Sequence, residues 1–216
     1  MDLLSDFLLS NFYIDNLYMP LFYRMQYALR FEIGDPSINT NKKVYIDNVY
    51  LKSLVLFKEV FDDEDEIYIV VNDVIFNEEN SINIESKCSI ENYIIKTEDK
   101  NACFDIRKHP YFYDDDLKIK SIQYKYKCRL NNVKYREILK AISNSDLGIK
   151  PSISYEVYFI HIEKQVIYQL YDDRGLDIAS ADRHILYSLY IKYNDWLLEY
   201  DKERMEGMIK NLTIDG

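Results

Sequence analysis

Asp172, Asp173, Arg174 and Asp177 place three carboxylates and a guanidinium around Gly175, with Asp195 and Trp196 a short way downstream. Such a group can form an active site with a paired arginine, served by a divalent metal. The same residues also make a turn. Asp172 or Asp173 accepts backbone N–H bonds, Gly175 supplies a positive φ, and Arg174 pairs a carboxylate from the following helices. Turn chemistry accounts for each residue without a ligand, so a structural network with no catalytic residue and no metal is the expectation.

A second acidic group, Asp62, Asp63, Glu64, Asp65 and Glu66, lacks the glycine and terminal glutamate spacing of a calcium loop and reads as a solvated helix-to-strand linker. The triple Asp114–Asp115–Asp116 has no phosphate-cradling loop beside it and reads as surface. His109, His161 and His184 have no second ligand at metal-site spacing, and His161, inside a strand pattern, reads as a satisfied core histidine. No G-x-S-x-G, P-loop or G-x-G-x-x-G occurs, and with 5 Gly in the chain a backbone cradle for phosphates is not expected. No cofactor is implied. Cys88, Cys103 and Cys128 are odd in number and widely spaced, so neither a disulfide framework nor a zinc knuckle is indicated.

The elements that must hold these groups are clearest at 155–180. Tyr155 to Ile162, Val166 to Tyr171 and Leu176 to Ala179 alternate as strands and are separated by Glu163–Lys164 and Asp172–Gly175, which gives a three-stranded meander. The first of these runs is apolar on both faces and belongs in the middle of a sheet. Ahead of it, the spacing predicts an amphipathic helix over the first dozen residues, a strand at 25–33 and a helix whose stripe runs from Ile46 to Phe61. A β-branched strand at 67–71 and a short helix near 90–96 follow. Ser121 to Leu130 alternates with Ile122, Tyr124, Tyr126, Cys128 and Leu130 inward and Gln123, Lys125, Lys127 and Arg129 outward. A helix at 133–142 capped by Asn131 or Asn132 comes next. A helix capped by Ser180 or Asp182 covers the sheet, and Asp201 is placed to cap a last one. The fold class is α+β: one domain over 1–216, mainly antiparallel sheet, packed by amphipathic helices.

At 216 residues and 48% hydrophobic the chain can bury one substantial core. No apolar run approaches the roughly 20 residues that span a bilayer, and the start lacks the basic character of a secretory signal, so a cytoplasmic protein is expected. The acidic polar face of the first helix argues against a membrane surface. The 21 Tyr accompany an excess of Ile, Asn and Lys, a joint bias that AT-rich coding produces, so they do not mark a binding surface. Charge is more informative. The net −10 concentrates between residues 59 and 99, where 13 Asp and Glu face only Lys87 and Lys96, whereas 117–140 carries eight Lys and Arg against Glu137. The strict alternation at 121–130 puts tyrosines and cations on opposite faces, which disfavours nucleic-acid binding.

The stretches YFIHIEKQVIYQLYDDRGLDIAS at 158–180, LYIKYNDWLLEYDKERME at 189–206 and LRFEIG at 29–34 resemble a bacterial family of unknown function associated with rearrangement-hotspot (Rhs) and related polymorphic toxin loci. The likeness is most specific over 155–212, and the acidic middle contributes nothing to it. It implies a small intracellular protein beside a toxin gene, often an immunity protein, and it brings no catalytic residues. Joined to the charge pattern, it leads to the expectation of a cytoplasmic immunity-type binding protein. Asp62, Asp63, Glu64, Asp65, Glu66, Glu78 and Glu79 would face a cognate, basic toxin where that toxin expects phosphates. A metal-dependent enzyme at Asp172–Asp177 and an interaction domain without a toxin partner are the alternatives.

Overall fold

The computed structural model describes residues 3–40, 43–75, 89–96, 105–108 and 120–214. Among these, seven strands form one antiparallel sheet in the order β1-β7-β6-β5-β2-β4-β3. The strands are β1 (Ala28–Glu32), β2 (Glu66–Ile75), β3 (Asp105–Lys108), β4 (Lys120–Arg129), β5 (Glu156–His161), β6 (Val166–Leu170) and β7 (Gly175–Ser180). The helices are α1 (Leu3–Phe12), α2 (Leu21–Arg24), α3 (Lys43–Val60), α4 (Tyr135–Ser143), α5 (Arg183–Lys192) and α6 (Lys202–Ile214). The fold is α+β, with the expected meander as β5-β6-β7. β1 closes one side of that meander, and β2 joins it to β4 and β3 on the other.

Each face of the sheet is set by strand alternation. Phe159 and Tyr168 are partners in the β5–β6 register and point to the face covered by α3 and α4. There Phe57 of α3 stacks on Phe61 at 4.6 Å and on Tyr135 of α4 at 5.0 Å, and meets Phe159 and Tyr168 edge-on at 5.0 and 5.1 Å. The Tyr168 hydroxyl donates to the Ser53 carbonyl at 2.9 Å, which satisfies its polar tip inside this aromatic cluster. Truncating Phe57 to Ala removes the centre of the cluster and costs about 3–5 kcal/mol.

The opposite face carries a polar row. Arg30 of β1, Asp177 of β7 and Gln169 of β6 are successive cross-strand partners. Glu156, Asn72 and Gln123 form a second set across β5, β2 and β4. All but Glu156 are buried, and the segment from Leu17 to Phe22 is bonded to this face at Asn72 and Asp177. The Asn72 amide donates to the Leu17 carbonyl at 2.8 Å, and the Phe22 N–H donates to Asp177 at 2.9 Å. These side chains hold main-chain groups of an irregular segment that would otherwise be buried without partners.

The outer edge of β1 is covered as well. Leu198 N–H donates to the Arg30 carbonyl at 2.9 Å, and the thioethers of Met205 and Met208 accept from Arg30 and Ala28 N–H at 3.3 Å. An edge strand so covered is shielded from pairing with another chain.

Several local expectations are corrected. Residues 89–93 form a 3-10 turn and not a helix through 96. Asn131 does not cap α4, whose cap position is Lys134; its amide reaches Glu64 instead. Asp182 is the cap of α5, accepting from His184 N–H at 2.9 Å. Asp201 turns inward to Tyr23 and Arg30 in place of capping α6. Glu78, Glu79, Asp114–Asp116, Cys88, Cys103 and His109 lie outside the described residues.

Candidate functional site

The acidic run sits at the tight connection between α3 and β2, where Asp65 N–H donates to the Asp62 carbonyl at 3.0 Å. Every carboxylate of the run has a partner. Lys164, from the β5–β6 turn, reaches Asp62 at 2.9 Å and Asp65 at 2.7 Å. Asp63 accepts from Lys58 at 2.9 Å and from the Tyr135 hydroxyl at 3.1 Å. Glu64 accepts from Asn131 at 3.1 Å, and Glu66 pairs Lys127 at 2.6 Å. His161 lies 3.3 Å from Asp65 through Nε2, while its Nδ1 accepts from Lys164 N–H at 3.3 Å. Burial opposes ionisation of Asp65, but the Asp62 N–H and the Lys164 ammonium outweigh it and hold the carboxyl below its ordinary range. Asp63 is lowered chiefly by Lys58.

This geometry changes the meaning of the charge pattern. β2 pairs with β4 along its length, so the acidic and basic stretches of sequence are neighbours in the sheet. The run is therefore partly compensated within the molecule and is not a bare anionic face. What stays open to solvent is the outer rim: the side chains of Asp62, Asp63 and Glu66 are 76%, 59% and 48% exposed. Beside them lies an open groove of about 340 Å³ bordered by Asp63, Asn131, Lys134, Tyr135, Arg136 and Glu137.

The second turn is built around buried carboxylates. Asp172 accepts from the Arg174 N–H at 2.7 Å and from its guanidinium through both Nε and the terminal nitrogen. The same guanidinium reaches Asp146 at 3.3 Å. Asp173 accepts from the Tyr45 hydroxyl at 2.5 Å. Asp177 lies just beyond the turn on β7 and takes two bonds from Arg30, at 2.8 and 2.9 Å, besides that from Phe22 N–H. Burial pushes the Asp177 carboxyl up against the pull of Arg30. Burial also opposes the Arg30 charge, and the Asp177 contacts more than offset that, so the guanidinium is held cationic. Its plane lies near the rings of Phe22, Tyr23 and Tyr171, and Asp201 is 3.7 Å away.

Asp195 and Trp196 do not join this turn. Asp195 is exposed on the 3-10 turn Asn194–Trp196, and Trp196 packs on Tyr193 at 4.9 Å beneath Lys52. Gly175 is not at a positive φ either. It opens β7, and a Cβ there would lie 2.8 Å from the Phe31 carbonyl oxygen and against the Tyr171 hydroxyl. The glycine is required for space and not for backbone conformation.

A model of a domain of unknown function, DUF3885, matches residues 4–201. The chain belongs to this family. One relative of this DUF3885 member is the uncharacterized protein YnaE of Bacillus subtilis (strain 168), 29% identical over 160 residues, which cover 70% of this chain and 74% of YnaE. No solved structure matches the chain significantly. The match spans both acidic turns and the whole described sheet, a wider reach than the specific likeness over 155–212.

Arg30, Tyr45, Tyr23 and Lys164 complete the polar architecture of this DUF3885 chain, and sequence reading passes over all four. The signal that exists is an arginine inside the apolar strand pattern LRFEI, since a cation on a buried strand requires a buried anion. For Tyr45 and Lys164 the partners lie 128 and 102 residues away, and no local pattern announces them. No helix among the described residues is long and apolar enough to cross a membrane. The described residues also contain no group of three or more His, Cys, Asp or Glu suited to a metal ion.

Proposed function

We propose that this DUF3885 chain is an immunity-type binding protein that neutralises a cognate, basic toxin through the outer rim of the acidic turn. The observation that carries the reading is the combination at residues 62–66 of exposure with fixed position. Asp62, Asp63 and Glu66 face solvent, yet each is held by a lysine from a different part of the fold. Charges oriented before encounter lose little side-chain freedom on binding and steer an oppositely charged partner. The resemblance read from 158–180 and 189–206 to a family of toxin loci points the same way, and the proposal places the protein in the cytoplasm. A partner cation would share or displace Lys58, Lys127 and Lys164, so recognition depends on geometry more than on net charge.

Metal-dependent catalysis at Asp172–Asp177 has less support, because Arg174, Tyr45 and Arg30 already occupy those carboxylates. The test is titration calorimetry of the purified chain with the product of the adjacent toxin gene. Nanomolar binding lost in the triple variant Asp62→Lys, Asp63→Lys, Glu66→Lys supports the proposal. No binding by the native chain, or undiminished binding by a folded triple variant, overturns it.

A further inference from the structure

Gln169 stands at the centre of the polar row, fully buried on β6, and neither its amide nitrogen nor its amide oxygen has a hydrogen-bond partner in the protein. Its surroundings are polar. Asp177 is its direct cross-strand neighbour on β7. On the other side, β5 pairs Phe159 with Tyr168 and Ile160 with Ile167, and one further step of that register sets Tyr158 opposite Gln169. Directly opposed side chains of an antiparallel pair are about 5 Å apart at Cβ, too far for their polar ends to touch unless they turn toward each other.

Here the polar ends of the neighbours are engaged elsewhere. The Tyr158 hydroxyl donates to Glu156 at 3.0 Å, which leaves its oxygen free to accept. Asp177 accepts three bonds, from two Arg30 nitrogens and Phe22 N–H, and a carboxylate has about four lone-pair positions. An amide donor and acceptor, a hydroxyl acceptor and a spare carboxylate position thus occupy neighbouring register positions on the sheet face that is bonded to Leu17 and Phe22.

We propose that this point is a binding site for internal solvent: a water molecule that accepts from Gln169 Nε2–H and donates to Asp177 or to the Tyr158 hydroxyl. The chemistry fits a single small molecule that both gives and takes hydrogen bonds, and buried polar groups left over by a fold are commonly served in this way. The bound water joins two separate networks. Arg30 and Asp177 lie on one side of it. Tyr158, Glu156, Asn72 and Gln123 are linked by bonds of 2.9–3.0 Å on the other. With the water in place the row becomes continuous from β1 to β4 and ties the N-terminal segment to the sheet at both Leu17 and Phe22. It also opposes slippage, because a one-residue shift of β6 would send Gln169 into the aromatic cluster on the other face.

The test uses the full chain. In isotope-labelled native protein, the Gln169 side-chain amide protons should show cross-peaks to water with the sign of a long-lived, protein-bound molecule. Gln169→Met, similar in length and apolar, should lower the melting temperature by about 2–4 °C, since it deprives a bound water of its central partner. Were the amide simply unsatisfied, the same substitution would relieve it and raise the melting temperature. Cross-peaks together with a destabilised variant support the site. Lack of cross-peaks in the native protein overturns it, whatever the variant does.

Discussion

Replacing Arg30 by Met tests the account of the core most directly. The thioether keeps much of the arginine's volume between Phe22, Tyr23 and Tyr171 but removes the charge and both bonds to Asp177. Asp177 is fully buried and would keep only the Phe22 N–H. Breaking a buried pair by removing one partner costs about 3–5 kcal/mol, because the remaining charge has neither water nor a counter-ion. The cost is a large share of a typical domain's total of about 5–15 kcal/mol. Urea unfolding followed by the fluorescence of the single tryptophan, Trp196, reads it. With an m-value of about 2 kcal/mol/M the midpoint should fall by roughly 2 M. The double variant Arg30→Met, Asp177→Leu should recover most of the loss, since two apolar side chains leave nothing unpaired apart from the Phe22 N–H. A loss below about 1 kcal/mol in the single variant, or a double variant no more stable than the single, would refute the assignment of this pair as the buried electrostatic centre.

Gly175→Ala should destabilise by about 1–3 kcal/mol in the same assay, because the new methyl meets the Phe31 backbone and cannot be relieved by a rotamer change. Gly207→Ala, on an exposed turn of α6 with open space around it, should instead stabilise by about 1 kcal/mol. Arg174→Ala should cost about 1 kcal/mol, since the arginine side chain is 72% exposed although Asp172 is buried. It should leave toxin affinity unchanged if the acidic rim is the interface, and calorimetry checks this. For the acidic turn, stability should be compared between the native chain and Lys164→Met across pH. Asp65 is lowered below 3.8 in the fold, so its contribution is present above that pH and lost as pH falls through the folded value. Lys164, where burial opposes the charge but Asp65 and Asp62 outweigh it, is raised above 10.5, so its contribution is present below that pH and lost above its folded value. The difference between the two proteins should be constant from about pH 5 to pH 9 and shrink at both ends. A difference that peaks in acid would contradict the pairing.

By itself the sequence determined the periodicities and so the elements. Alternation over 155–180 specifies three strands, the Tyr and Lys alternation of 121–130 specifies a two-faced strand, and the stripe from Ile46 to Phe61 specifies a helix, because side-chain direction repeats at every second residue in a strand and every 3.6 in a helix. Tertiary structure decided everything that depends on which strands meet. Glu66 and Lys127 become counter-charges only through the β2–β4 pairing, and Lys164 reaches Asp62 and Asp65 only because the β5–β6 turn comes beside the end of α3. Asp177 reads as a turn residue until β1 is placed against β7 and Arg30 comes beside it. Gly175 reads as a positive-φ glycine until the Phe31 carbonyl fills the space its side chain would need. A linear pattern records how each residue relates to its neighbours a few positions away, whereas burial and charge compensation are properties of long-range contacts and exist only once the sheet has closed.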